Sequence, residues 1–452
     1  MNLNRSALAL QTPRENLVHI GIGAFFRAHQ AWYTQVAEPN GEWGYVAFTG
    51  RSAAVADELS AQDGLYTLVT RSSNADSFQV INSLARVEDG NELQKLTDAL
   101  VNPDTAVVTL TITEAGYCLT PENRLAESEA LLASLRAGEP EIALTRLAWA
   151  LNQRRLENGL GLALVPCDNI PSNGALLREA LTQLFEAFGQ EAQIWLAEKV
   201  GFVSTSIDRI TPKTTDEDVE TVKELTGFTD RSPVVTEPFR DWVLEGPFPL
   251  GRPAWELAGA RFVAEIEPFE NRKLWLLNGS HSLLAYLGHL RGHQTVDQAI
   301  GDPQCLAAVE AFWDEAERTL ANPELQISEY RQALLERFRN RRIAHQLSQI
   351  AIDGATKVRV RAMPTIKAER ASGRSGEGAI GVVAAWVAFV LSNDSIVDAQ
   401  LPAILLAKSA ATAEARITGL VKLLDSKLAA DANFVAQLNL QINNLLKSMK
   451  EN

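Results

Sequence analysis

The chain has 452 residues, 46% of them apolar and 22% charged, a balance that suits a soluble globular protein with room for two or three domains. Its formal charge of −14 argues against nucleic acid or an anionic membrane as a main partner, but not against a small anionic substrate. Cys118, Cys167 and Cys305 are scattered and form no CxxC pair, and the opening MNLNRSALALQTPREN lacks a signal-peptide core. Neither a disulfide framework nor a zinc knuckle is therefore expected, and the expected location is the cytoplasm. The longest apolar run, Ala379 to Leu391, is too short to span a bilayer and suits a core helix.

Leu17-Val-His-Ile20 reads as a short strand entering Gly21-Ile-Gly-Ala-Phe-Phe-Arg27, with Ala28 to Val36 as the helix that follows. In a strand–turn–helix setting, Gly21, Ile22, Gly23, Ala24 and Phe25 can cradle a dinucleotide pyrophosphate at a helix N-terminus. Phe26 stands where the third glycine of that fingerprint belongs, and two glycines alone fit an ordinary tight turn equally well. Tyr45-Val-Ala-Phe48 reads as the second strand, ending at Thr49-Gly-Arg-Ser52. The acid that selects NAD at this point is missing. Arg51 and Ser52 suit a 2′-phosphate and keep NADP open beside NAD, although Arg51 also fits as a solvated loop residue or one stacked on adenine.

Strand-like alternation follows at Leu65–Thr70 and Ser77–Ile81, then a helix over Asn91–Leu100 and a buried strand over Ala106–Ile112. That strand ends at Thr113 and Glu114, which its carboxyl end places within reach of a cofactor or substrate; a plain loop acid is the alternative for Glu114. A helix over Ile142–Asn158 leads to the strand Leu160–Val165 and then Pro-Cys-Asp-Asn169, where Asn169 suits either a ligand contact or a local Asx turn. A helix over Ile194–Lys199 and a strand over Phe202–Ile210 close the αβ pattern, and residues 211–253 read as a connection with small extra elements. Beyond Trp255, after short strands between Arg261 and Glu267, the pattern is almost wholly helical. The expected fold class is α/β: a Rossmann-type dinucleotide-binding domain (1–254) followed by a mainly α-helical C-terminal domain (255–452).

Pro268 to Leu290, PFENRKLWLLNGSHSLLAYLGHL, is apolar nearly all round and reads as a buried helix. At 100° per residue, Lys273, Asn278 and His281 fall within roughly 140° of one side. A lysine, an amide and an imidazole on a buried helix must be paired or must line a cavity, because burying them bare costs several kcal/mol. Desolvation would also pull a lysine towards neutrality, which suits proton transfer. A helix whose Lys and His merely reach the surface is the plain alternative.

HIGIGAFFRAHQAWY (19–33), TEAGY (113–117), CDNIPSNG (167–174), DRITP (208–212), PFENRKLWLLNGSHSLLAYLG (268–288) and IDGATK (352–357) run in order along most of the chain. With these motifs the chain resembles the long-chain mannitol dehydrogenase family of polyol and sugar-acid dehydrogenases. The resemblance implies a metal-independent enzyme using NAD or NADP on a small-molecule sugar acid or polyol. It matches Lys273 to the catalytic acid–base, Asn169 and Asn278 to the amides that stabilise the alkoxide, and His281 to a substrate-orienting histidine. It matches Glu270 to a carboxylate aiding proton exchange with solvent, and Lys357 to a substrate-binding lysine.

Eight residues before Lys357, where mannitol- and arabinitol-oxidising members tend to carry arginine, this chain has Gln349. The run HQLSQIAIDGATKVRVR (345–361) is more similar to the D-mannonate oxidoreductase branch, including Arg361. Lys357 and Arg361 could together pair with a sugar carboxylate. The expected reaction is therefore reversible hydride transfer between D-mannonate and D-fructuronate, with a neutral polyol dehydrogenase as the rival. A catalytically silent dinucleotide-binding sensor is the rival from another class. The sequence gives no oligomeric state.

Overall fold

Short runs of branched and aliphatic residues build a six-stranded parallel sheet in the computed structural model, which describes residues 1–50 and 52–451. In chain order its strands are β1 (Glu15–Ile20), β2 (Gly44–Phe48), β3 (Leu84–Glu88), β4 (Val107–Leu110), β5 (Leu162–Pro166) and β6 (Val200–Phe202). They lie side by side as β3-β2-β1-β4-β5-β6, every neighbouring pair parallel. The winding direction reverses between β1 and β4, which is where such sheets open a crevice beyond the strands' carboxyl ends. Strands β2, β4 and β5 are buried along their whole length, and that is why they read as continuous apolar runs. Alternation along β1 sends Leu17 to one face of the sheet and Val18 and Ile20 to the other. Helices bearing Leu96, Leu100, Leu147 and Leu151 cover the second face, and Phe26, Tyr33, Trp242 and Trp255 cover the first.

Several local expectations change. The helix after the glycine turn begins at Ala24, stops at Ala28 and resumes over Gln30–Ala37, because His29 departs from helical geometry at φ −118°, ψ −89°. The run 202–210 is not one strand: β6 closes the main sheet, while Ser204–Asp208 turns away to pair antiparallel with Asp241–Glu245. Strand β3 and the helix Ser128–Ala137 were not anticipated. β3 sits at the sheet edge with only Leu84 and Val87 buried, so its polar neighbours hide its periodicity. Tyr66–Arg71 and Asp76–Ile81 form a hairpin outside the main sheet, joined by Val234–Thr236.

These elements belong to the first of two compact units, Met1–Glu267; the second begins at Pro268 and is helical. Its centre is Glu377–Ser392, in which Ala379, Ile380 and every residue from Val382 to Val390 are buried, against Ser280–Leu290, Pro303–Thr319 and Ala432–Glu451. A helix apolar on all sides must be enclosed on all sides, as the composition of this run requires. Among the described residues no helix is long and apolar enough to cross a membrane.

Candidate active-site residues in the two units

In the first unit, a cavity of about 630 Å³ opens at the carboxyl ends of β1, β2 and β4. Gly21, Ile22, Gly50, Asn91, Thr111, Thr113, Ala115, Cys118 and Arg146 are among its lining residues. Gly21 has φ +100°, and a Cβ there would stand 2.3 Å from the Thr111 carbonyl oxygen, so only glycine fits. Gly21 and Ile22 both donate backbone N–H to the Phe48 carbonyl at 2.9 Å, which locks the turn to the end of β2. Gly23 caps the short helix, and Ala24 and Phe25 lie in its first turn, with Phe25 stacked on His29. Phe26, in the third-glycine position, stacks on His19 of β1 at 3.5 Å between ring centroids, so two rings fill the space where a glycine would let helix and strand approach. Burial pushes His19 down to about 3, keeping that ring neutral. Arg51 lies outside the described residues, while Ser52 Oγ accepts the Ala54 N–H. Glu114 is exposed on the 3₁₀ turn Glu114–Tyr117.

Beyond β5 the backbone is held firmly around Asn169, itself exposed. Asp168 accepts from the backbone N–H of Thr113 at 2.8 Å and from the Tyr117 hydroxyl at 2.8 Å. Asn173, wholly buried, donates to the Asp168 carbonyl and pairs with the Thr205 backbone in both directions. Thr113 sits at φ +67°, ψ 163°, a region a β-branched residue avoids at a cost of order 1–3 kcal/mol, so its neighbours must hold it there.

In the second unit, Lys273–Gly279 is a π-helical turn set between the α-helices Glu267–Arg272 and Ser280–Leu290. This corrects the regular α-helix expected from the sequence. With 100° per residue, Lys273 and Asn278 would stand roughly 140° apart. Bonding from i to i+5 winds the turn more loosely, which narrows that angle and brings Asn278 closer to the side of Lys273. The displaced carbonyls find other donors: Leu276 O accepts from Trp313 Nε1 at 2.9 Å and from Ser280 Oγ, and Asn278 O accepts from Arg361 at 3.1 Å. Gly279 allows the close approach of the helix Pro303–Thr319, since a Cβ there would meet the Phe312 ring at 2.5 Å. Lys273 is 9% exposed, Asn278 and Glu270 are half-buried, and Glu270 lies one turn ahead of the lysine.

Four other basic groups surround His281. Burial first, then His345, Arg337, Arg361 and Lys357, hold its imidazole well below the usual range. Its ring meets His345 edge-on at 5.2 Å and Phe338 at 5.1 Å. Lys357 and Arg361 stand on one helix, Gly354–Arg361, whose start Asp398 fixes by accepting the Ala355 N–H. Lys357 donates to the Ile350 carbonyl and Arg361 also donates to Ser282 Oγ, while the Arg361 Nε is buried without a partner. Burial lowers both cations, Arg361 to about 10. Gln349 is exposed on the short helix Leu347–Ile350. His345 and Arg337 were missed in the sequence because single basic residues on amphipathic helices carry no spacing signal. His293, Asp302 and Cys305 cluster closely enough to offer three metal donors, but Arg291 already neutralises Asp302 at 2.6 Å.

The two units correspond to two family models: residues 15–257 match the mannitol dehydrogenase Rossmann domain and residues 265–446 the mannitol dehydrogenase C-terminal domain. The chain belongs to the mannitol dehydrogenase family. D-mannonate oxidoreductase of Escherichia coli is 32% identical over 84% of this chain and 80% of that protein. D-arabinitol 4-dehydrogenase of Ralstonia nicotianae is 36% identical over 77% of each. Among solved structures, a ternary complex of Pseudomonas fluorescens mannitol 2-dehydrogenase with NAD and D-mannitol superposes with a TM-score of 0.80. It is 32% identical and covers 100% of this chain and 99% of that one. The family resemblance carried by the motifs thus extends along both units, and the Rossmann and helical architecture agrees with it.

Proposed function

We propose that this mannitol dehydrogenase family member is an NAD(P)-dependent secondary-alcohol dehydrogenase in which Lys273 is the acid–base. The observation that carries the reading is the π turn, whose looser winding draws a buried lysine and a carboxamide towards the same side of the helix. Gly21, Ile22 and the first turn from Gly23 to Phe25 fit a pyrophosphate, since the cavity beside them tolerates no side chain at Gly21. Thr113 and Glu114 border the nicotinamide side in this reading. A bound nicotinamide dinucleotide supplies or accepts the hydride. Lys273 takes the alcohol proton during oxidation and returns it during reduction. Asn169 and Asn278 donate amide N–H groups to the oxygen on which negative charge develops. His281, half-buried and kept neutral by desolvation and the cations near it, orients the substrate, and Glu270 relays the proton between Lys273 and solvent.

For the substrate we favour a sugar acid, D-fructuronate reduced to D-mannonate. Lys357, Arg361 and Arg337 gather near His281 in a chain of net charge −14, where a carboxylate would find charge-assisted partners. A second reading is a neutral polyol such as D-mannitol or D-arabinitol. It is favoured by the engagement of Lys357 with Ile350 O and of Arg361 with Asn278 O, bonds that give both cations a structural task. Steady-state assays of uronates, ketoses and polyols with NAD(H) and NADP(H) separate the two. Reduction of fructose with fructuronate left untouched would reject the sugar-acid reading.

A further inference from the structure

Asp168 lies between the two loops that face the cavity side of the sheet, yet no role above uses its carboxylate. Oδ1 accepts the Thr113 N–H at 2.8 Å; Oδ2 accepts the Tyr117 hydroxyl at 2.8 Å and the Ile112 N–H at 3.3 Å. Its own carbonyl accepts from Asn173 at 3.0 Å, and Asn173 is tied to Thr205. The group is 7% exposed, and its three donors are neutral. Burial accordingly raises its pKa, the reverse of what a stabilising ion pair does. A buried carboxylate without a cation is a poor choice for folding alone, because an amide or an apolar side chain avoids the desolvation. What it secures is geometry. It closes the loop after β4 onto β5, holds the N–H of Thr113 in a backbone conformation that threonine otherwise leaves, and pins the residue preceding Asn169.

We infer that Asp168 is a positioning residue for the reaction: with Tyr117 and Asn173 it aims the Asn169 carboxamide and fixes Thr113 on the cofactor side. This rests on the dehydrogenase reading above. In that reading the oxyanion donor must already be in place when charge develops, and a donor free to swing loses most of its effect.

The test uses the full chain and a double-mutant cycle. Asp168→Ala should lower kcat by about 30-fold or more, with the NADH dissociation constant shifting less than about fivefold, and should add little in an Asn169→Ala background. Asp168→Asn, which keeps an oxygen for the Thr113 N–H, should recover about tenfold of that loss, and Tyr117→Phe should cost about threefold. Additive losses in the double variant overturn the inference, and so does a folded Asp168→Asn no better than Asp168→Ala. If the wild-type protein turns over no alcohol or ketone, the dehydrogenase reading fails instead. Hydrogen exchange then decides on Asp168: the Thr113 amide should exchange at least about tenfold faster in Asp168→Ala, and unchanged exchange overturns the role.

Discussion

In the proposed reaction the first unit meets its ligand mostly with backbone, at a glycine turn and at strand ends, whereas the second offers side chains from a helix. A Cβ at Gly21 would reach within 2.3 Å of Thr111 O, so the first site depends on what is absent from a side chain. At Lys273–Gly279 the site depends on how a helix is wound, and its displaced carbonyls are met by Trp313, Ser280 and Arg361. Backbone sites tolerate variation in neighbouring side chains; a wound helix needs donors from surrounding helices to keep its register. Substitutions in the two places should therefore fail differently, the first through cofactor affinity and the second through turnover.

The largest of these effects is expected in the second unit. Asn278→Ala should lower kcat by about 10²–10³ with little change in NADH affinity measured by fluorescence titration, as the loss of one oxyanion donor does elsewhere. An equal loss in NADH affinity would erase the contrast between the units. Gly21→Ala should do the opposite, weakening NADH binding by roughly tenfold or more and destabilising the first unit by about 2 kcal/mol, read by titration and by thermal melting. Arg361→Gln should lower kcat/KM for fructuronate about tenfold more than for fructose, the worth of one charge-assisted hydrogen bond. Equal losses on both substrates would assign Arg361 to supporting the Asn278 carbonyl alone.

The last effect concerns pH. His19, His281 and His345 are all lowered from 6.5 by burial first, with neighbouring cations adding for the latter two. The unfolded chain therefore binds protons that the folded chain refuses. Stability present above about pH 6.5 should fall as pH drops towards about 3, where His19 titrates, by at most about 1.4 kcal/mol per pH unit for each histidine. Urea unfolding at pH 5 and pH 7 measures it, and His345→Gln should flatten the slope.

Much of the first unit was legible because βα grammar is local: an apolar run, a glycine turn and a helix specify each other over a few residues. It failed at β3, where an edge strand buries only Leu84 and Val87 and so shows no alternation, and at 202–210, where a strand-like run crosses from one sheet to another. In the second unit the residue types Lys273, Asn278 and His281 stood out in the sequence, but their relative orientation did not. The π turn is set by Trp313 and Arg361, residues far along the chain, and by Gly279 beneath Phe312. Asp168 was overlooked although it lies within the CDN run, because its partners Thr113 and Tyr117 come from another loop.

The central claim is that the amine of Lys273 moves the proton while the first unit holds the dinucleotide. Stopped-flow measurement of NADH oxidation in a single turnover, wild type beside Lys273→Ala, addresses it directly. The account predicts NADH binding within a few-fold of wild type and hydride transfer slowed by about 10²–10⁴. Transfer at the wild-type rate in the alanine variant would contradict it.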